Sequence, residues 1–340
     1  MSFGRDKNGR WKQIRPIPGD NIYHQNGILE TLNALDPLFY QAQQKNEIGF
    51  ILTLLRYKKD QPAGWDTLIN LRELYESFEK IRTKLRYNKT HAHFHLFIYG
   101  LIIEASEPYE VIANLLNAIE EKPYSVDNFP DVPNRVTKKF QPLGPTDKVS
   151  RLISRAKKHR VKLDFFNEFI DPKLRNAIFH SDYTLYGQNV RILKPREKEY
   201  SEQDILKLLN RAKAYIETFF KLFDNYTRSY EESEVIKFPE GVISTKKGQP
   251  ISSAITIIRE KKGLIGLKDN WSPAEKEGGC ENWRIGHFIP YEIQLIAKGK
   301  LSLPKNRRER INGILSLLPD QVSHFLAKRL DKIKWLEKYT

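Results

Sequence analysis

Arg175, Asn176 and His180 sit close together in the stretch Leu174-Arg175-Asn176-Ala177-Ile178-Phe179-His180. These side-chain types suit the cleavage of RNA. An RNA strand breaks when a 2′-hydroxyl attacks the adjacent phosphorus. A histidine titrating near neutral pH can take the hydroxyl proton or protonate the departing 5′-oxygen. An arginine can clamp two phosphate oxygens and stabilise the charge of the transition state. This chemistry requires no metal and no cofactor. Asn176 lies four residues before His180, on the same face of a helix one turn below, where it can orient the imidazole. Arg175 lies five residues from His180, about 140° round a helix of standard pitch. One helix therefore does not aim both groups at one atom.

Elements to position these residues are legible around them. Asp171-Pro172 starts a helix, with Asp171 suited to the N-cap and Pro172 to the first helical position, where a missing N–H costs nothing. Tyr183 to Leu193 alternates around Gly187 and predicts a short hairpin. Ser201 and Asp204 resemble a capping box. The helix that follows, to Tyr226, carries Ile205, Leu208, Leu209, Ala212, Ile216, Phe219, Phe220 and Phe223 on one apolar face. Upstream, residues 1–30 predict an irregular lead-in broken by glycine and proline. Helices are expected through Phe39 to Leu55, from Asp66 to Tyr87 with a buried stripe of Leu68, Leu71, Leu74, Phe78, Ile81 and Leu85, and from Ala92 to Glu104. Ser106 is expected to cap a fourth. A proline-containing connection spans Pro123 to Pro145, and a helix is expected from Asp147 to Phe169. After residue 231 short apolar runs among turn residues suggest strands, with helices returning at Arg307–Leu318 and Asp320–Lys338.

The segment Arg175 to His180 resembles the Arg-(Asn/His/Asp)-x-x-x-His motif of the HEPN superfamily. The likeness extends to the capped helix that carries it, the aromatic turn and hairpin after it, and the long amphipathic helix beyond. It is strong over residues 171–226 and loose before that, back to about residue 30. The resemblance implies a mainly α fold, with a HEPN-like antiparallel helical bundle over residues 31–230; the change of texture beyond it suggests a smaller mixed α/β C-terminal domain over 231–340. It also implies a homodimer, in which two such motifs line a shared cleft. Some members place a tyrosine two residues after the histidine. Here the nearest is Tyr183, three after, an auxiliary candidate off that spacing. Glu104, ending an apolar helix, is a second auxiliary candidate that can approach the cleft. The implied activity is that of a toxin or antiviral effector cleaving RNA. A regulatory or antitoxin protein is then a possible partner.

Charge points the same way. The chain has 57 basic and 42 acidic residues, for a net charge of +15. A polyanionic partner follows, nucleic acid being the commonest. Between Lys148 and Lys162 stand seven Lys/Arg and no acidic residue. Arg151, Arg155, Lys158 and Lys162 fall at helical spacing and form a candidate RNA-backbone track, or else a solvated helix face. An apolar fraction of 40%, with 5 Trp, 16 Tyr and 18 Phe, excludes a disordered chain. No apolar run reaches membrane-spanning length, and Met1 to Arg15 lacks the apolar stretch of a signal peptide. The single cysteine, Cys280, excludes an intrachain disulfide and fits a reducing cytoplasm.

Other clusters carry less. His91, His93 and His95 would share a face on a strand and bind metal there, but the local period is helical, so no metal site is expected. Cys280 with His287 lacks an orienting third group. Trp271, Trp283 and Tyr291 suit a core or a base-stacking pocket. Lys305, Arg307, Arg308 and Arg310 suit a solvated face or a phosphate site. For the motif itself, the plain alternative pairs Arg175 with Asp171 at i−4 and makes His180 a packing residue. The competing function is a non-catalytic RNA- or nucleotide-binding or assembly module regulated by a partner.

Overall fold

Ser201 accepts a hydrogen bond from the Asp204 N–H (3.2 Å) while the Asp204 carboxylate accepts from the Ser201 N–H (2.9 Å), closing the expected capping box. From it runs α8, Glu202–Arg228, a stretch without glycine or proline. In this computed structural model the described residues are 3–7, 9–14, 21–56, 67–85, 89–122, 124–133, 139–187, 189–193 and 197–230, with the backbone of five further strands between 234 and 269. The chain divides into two units, the first holding most of residues 1–231 and the second most of the remainder. The first unit is mainly helical.

Its centre is the packing of α8 on α1, Ile22–Lys45. Gly27 permits the close approach, since a Cβ there would lie 2.8 Å from that of Ala214. Leu35, Leu38, Phe39, Phe219 and Tyr215 are buried between these helices and their neighbours. The described part of residues 1–30 is not an irregular lead-in. Strands β1 (Phe3–Arg5) and β2 (Trp11–Gln13) form a hairpin, and α1 already begins at Ile22. The hairpin is held by buried Asp36, which accepts from Arg5 (2.5 Å), Trp11 Nε1 (2.7 Å) and Tyr226 (2.9 Å). The helix expected through Phe39 to Leu55 is two, because Asn46 leaves helical geometry and its side chain accepts from the Gly49 N–H, capping α2, Glu47–Leu55.

Helix α3, Thr67–Arg82, runs antiparallel to α8 along a polar ladder. Arg72 pairs twice with Asp224, Tyr75 donates to Glu217 (2.5 Å) and Lys213 to Glu79 (2.6 Å). These residues claim the inward side. The expected stripe is therefore only part-buried: Leu68 and Leu71 are inside, while Leu74 and Ile81 turn out to solvent at 37% and 44% exposure. Helices α4 (Lys89–Glu104) and α5 (Ser106–Ile119) follow. Ser106 is not the cap; Ala105 takes that position and Ser106 Oγ instead accepts from Lys148 Nζ (2.8 Å). In the long connection, β3 (Val132–Pro133) pairs with β4 (Phe140–Gln141), and Glu110, Asn114 and Asn117 of α5 bind Ser125 and Asn128.

Helix α6, Pro145–Lys158, stops eleven residues short of the expected Phe169. Arg160 takes a left-handed conformation (φ 59°) and the Val161 N–H bonds back to Ala156, a helix-ending closure. A short 3-10 helix, Asp164–Glu168, then leads to α7, Pro172–His180. After it come β5 (Tyr183–Tyr186) and β6 (Asn189–Ile192), the expected hairpin, and an unanticipated third antiparallel strand β7 (Lys198–Tyr200). In the second unit β8 (Glu234–Lys237), β11 (Ala254–Glu260) and β12 (Gly263–Asp269) form a three-stranded sheet, and β9 (Ile243–Ser244) pairs with β10 (Pro250–Ile251). The helices expected at 307–318 and 320–338 lie outside the described residues, as do Cys280, His287, Trp271, Trp283, Tyr291 and the Lys305–Arg310 cluster. No described helix is long and apolar enough to cross a membrane.

Candidate active site

Asp171 fixes the start of α7 as expected. Its Oδ1 accepts from the Lys173 and Leu174 N–H groups, and its Oδ2 from Lys198 Nζ (2.8 Å) and Tyr200 OH (2.9 Å) of β7. Burial pushes its carboxyl up, but these hydrogen bonds outweigh that and hold it below the usual range. Tyr99 of α4 donates to the Phe169 carbonyl (2.7 Å) and accepts from the Asp171 N–H (3.0 Å), so α4 and β7 together aim the helix.

Along its length α7 runs antiparallel to α4. Arg175 meets Glu104, Phe179 and Ile178 meet Gly100, and beyond the helix Tyr183 meets His93. Gly100 matters because a Cβ there would lie 3.1 Å and 3.2 Å from the Phe179 ring and 3.4 Å from Ile178. A larger residue would push the two helices apart.

Arg175 is half-buried. Its Nε donates to the Glu104 carboxylate, its Nη1 donates to Asn176 Oδ1 (2.7 Å), and its guanidinium carbon lies 5.5 Å from the Phe179 ring centre. Among the described residues no acceptor reaches Nη2. The guanidinium is thus anchored at one edge and open along another, the arrangement that leaves two N–H groups for an anionic oxygen pair. The alternative partner Asp171 is committed to the cap and to β7. His180 is the last residue of α7, exposed, before Ser181 in a left-handed cap.

Two expected relationships are corrected. Asn176 does not orient His180: its carbonyl oxygen accepts from Arg175, the stronger, cationic donor one residue away. The basic track is also not one helix face. Arg155 turns inward to Glu120 and Asn117, and Lys162 lies past the end of α6 where the chain has reversed. Arg151 and Lys158 do lie exposed on the outer side, with Lys157 and Arg160 near them.

Glu104 and Tyr183 are both drawn into contacts on this face, Glu104 with Arg175 and Tyr183 with His93. The Tyr183 hydroxyl lies 2.8 Å from His93 Nδ1, and burial pushes the phenol above its ordinary range. Sequence reasoning weighed His93 only as part of a metal-binding run and set it aside. The signal was there: His93, Phe97, Gly100 and Glu104 recur at helical spacing, so the face that presents Glu104 also presents His93. The other two histidines face elsewhere. The His91 and His95 rings meet at a tilt, centres 4.1 Å apart, and burial together with His91, Arg82 and Lys213 pushes the His95 imidazole down to about 4. The described residues contain no group of side chains able to hold a metal.

Comparison with protein-family models, with characterised proteins and with solved structures gives no match to this chain.

Proposed function

We propose that the chain is a HEPN-type endoribonuclease that cleaves RNA through 2′-hydroxyl attack without requiring a metal. The observation that carries this reading is an arginine anchored at one edge and open at another, on the same short helix as an exposed histidine. Arg175 clamps the phosphate and stabilises its developing charge; His180 moves a proton. Glu104 and Asn176 hold the guanidinium in place. A net charge of +15 and the exposed Arg151 and Lys158 favour an RNA substrate.

The working form is a homodimer. Leu74 and Ile81 of α3, Phe97 of α4 and Phe179 of α7 are exposed apolar residues; α3 meets α4 through the Phe78–Phe97 ring contact at 5.4 Å, and Phe179 packs on Gly100 of α4. A second copy packed here covers that surface and brings a second Arg175 toward His180. A toxin or antiviral role, restrained by a regulatory protein, belongs to the same reading.

The test is incubation of the purified full chain with RNA in EDTA, beside Arg175→Ala, His180→Ala and a DNA strand of the same sequence. Wild type is expected to cut RNA, spare DNA and retain activity in EDTA. Equal cleavage by both variants removes the assigned site; cleavage abolished by EDTA removes the metal-free chemistry. The ion pair to Glu104 favours a second reading, a non-catalytic RNA-binding or assembly module, because it neutralises Arg175. Salt-sensitive RNA binding with no cleavage is its outcome.

A further inference from the structure

Breaking an RNA strand through its own 2′-hydroxyl moves two protons. One leaves the 2′-oxygen and another reaches the departing 5′-oxygen. His180 supplies one of these transfers, and no second histidine on α7 supplies the other.

The facing helix does. The register set by Glu104–Arg175 and Gly100–Phe179 brings His180 level with the turn around Tyr99. His93 lies further along α4 on the same exposed stripe, about 9 Å on at 1.5 Å per residue. Tyr183 ties His93 to the segment just past His180, so one RNA strand laid across this end of α7 can meet both imidazoles. His93 is exposed, so a substrate can reach it. Its ring is also held, because Tyr183, three residues after His180, lies 2.8 Å from Nδ1. His91 and His95 instead lie against each other, with the charge of Arg82 acting on both and that of Lys213 on His95. Of the run of three, only His93 lies on the site face.

We propose that His93, positioned by Tyr183, is the second acid–base residue of this site and protonates the leaving 5′-oxygen. The inference rests on the ribonuclease reading above. In the step, His180 accepts the 2′-proton as the 2′-oxygen bonds to phosphorus. The bond from phosphorus to the 5′-oxygen breaks, its electron pair stays on that oxygen, and His93 Nε2 delivers a proton to it. The products are a 2′,3′-cyclic phosphate and a 5′-hydroxyl, and no water, oxidant or reductant enters. For Nε2 to exchange a proton, Nδ1 has to keep its own hydrogen. At 2.8 Å the Tyr183 oxygen can accept that hydrogen, and in the proposed step it does so, holding the Nδ1–H tautomer and the ring plane.

The test compares single-turnover cleavage of an ordinary RNA with that of the same RNA carrying sulfur in place of one bridging 5′-oxygen. A thiolate leaves without a proton. His93→Gln is expected to slow the ordinary substrate about 100-fold or more, the scale of general acid catalysis, yet cut the sulfur substrate nearly as fast as wild type. Tyr183→Phe is expected to show the same pattern at about one tenth of that effect. His180→Ala is expected to be slow on both. His93→Gln matching wild type on both substrates overturns the proposal, as does equal slowing on both, which marks a structural role; in either case the ribonuclease reading stands. Failure of the wild type to cut either RNA removes that reading, and this inference with it.

Discussion

Arg175 Nε donates to the Glu104 carboxylate across the junction of α7 and α4, joining the centre of one helix to the last residue of the other. A free arginine side chain samples many rotamers. This one is held at Nε by Glu104, at Nη1 by Asn176 and over the Phe179 ring. On the ribonuclease reading proposed above, Glu104 is a positioning residue, acting on phosphate only through Arg175.

Replacing Glu104 with Gln keeps the shape and removes the charge that anchors Nε. Cleavage is expected to fall by about 10- to 100-fold, the scale of a misplaced catalytic group. RNA affinity should hold or rise, since one negative charge has gone. Single-turnover rates beside filter-binding affinities check this; a parallel loss of affinity and rate contradicts it.

A shared two-fold site has an arithmetic signature. Arg175→Ala and His180→Ala are each expected to be inactive alone. After dissociation and random remixing, half of the dimers are mixed and each holds one intact site, so about a quarter of wild-type activity should return. Sites complete within one chain would return none.

The outer side of α6 separates binding charge from structural charge. Removing exposed Arg151 and Lys158 together should weaken RNA binding and lower the slope of log affinity against log salt by about 1.5 to 2. Arg155→Ala is expected to act on stability instead, because it leaves half-buried Glu120 with one partner fewer. Salt titrations and thermal melts on the same proteins distinguish the two.

His95 predicts an acid-side loss of stability. Burial and its cationic neighbours lower its pKa from 6.5 to about 4. Between those values the unfolded chain binds the extra proton and the folded chain does not. Stability is therefore full above about pH 6.5, falls as pH drops toward 4, and the decline from this group ends below that. The loss is on the order of 3 kcal/mol. His95→Gln should flatten urea-unfolding stabilities across that window; an unchanged pH slope removes the assignment.

Local signals were legible in the chain where one short stretch holds all the information. The Asp171-Pro172 start of α7, the Ser201–Asp204 capping box, the hairpin about Gly187 and the apolar face of α8 each depend on neighbours a few residues apart. Boundaries set by a single backbone conformation were not legible. Asn46 splits one expected helix in two, and Arg160 ends another early, because each residue's dihedral choice is decided by the bonds it finds.

By itself, then, the sequence determined the helical class of the first unit, the presence of Arg175 and His180 on one helix, and a strongly basic net charge. Tertiary structure alone decided which groups those residues meet. Asn176 turned to Arg175 rather than His180, Arg155 turned inward, Glu104 anchored the guanidinium from 71 residues away, and His93 met Tyr183 from 90. The reason is that helical periodicity tells which side chains share a face, whereas the partner of that face is set by how two helices pack. Here that packing depends on the missing side chain of Gly100.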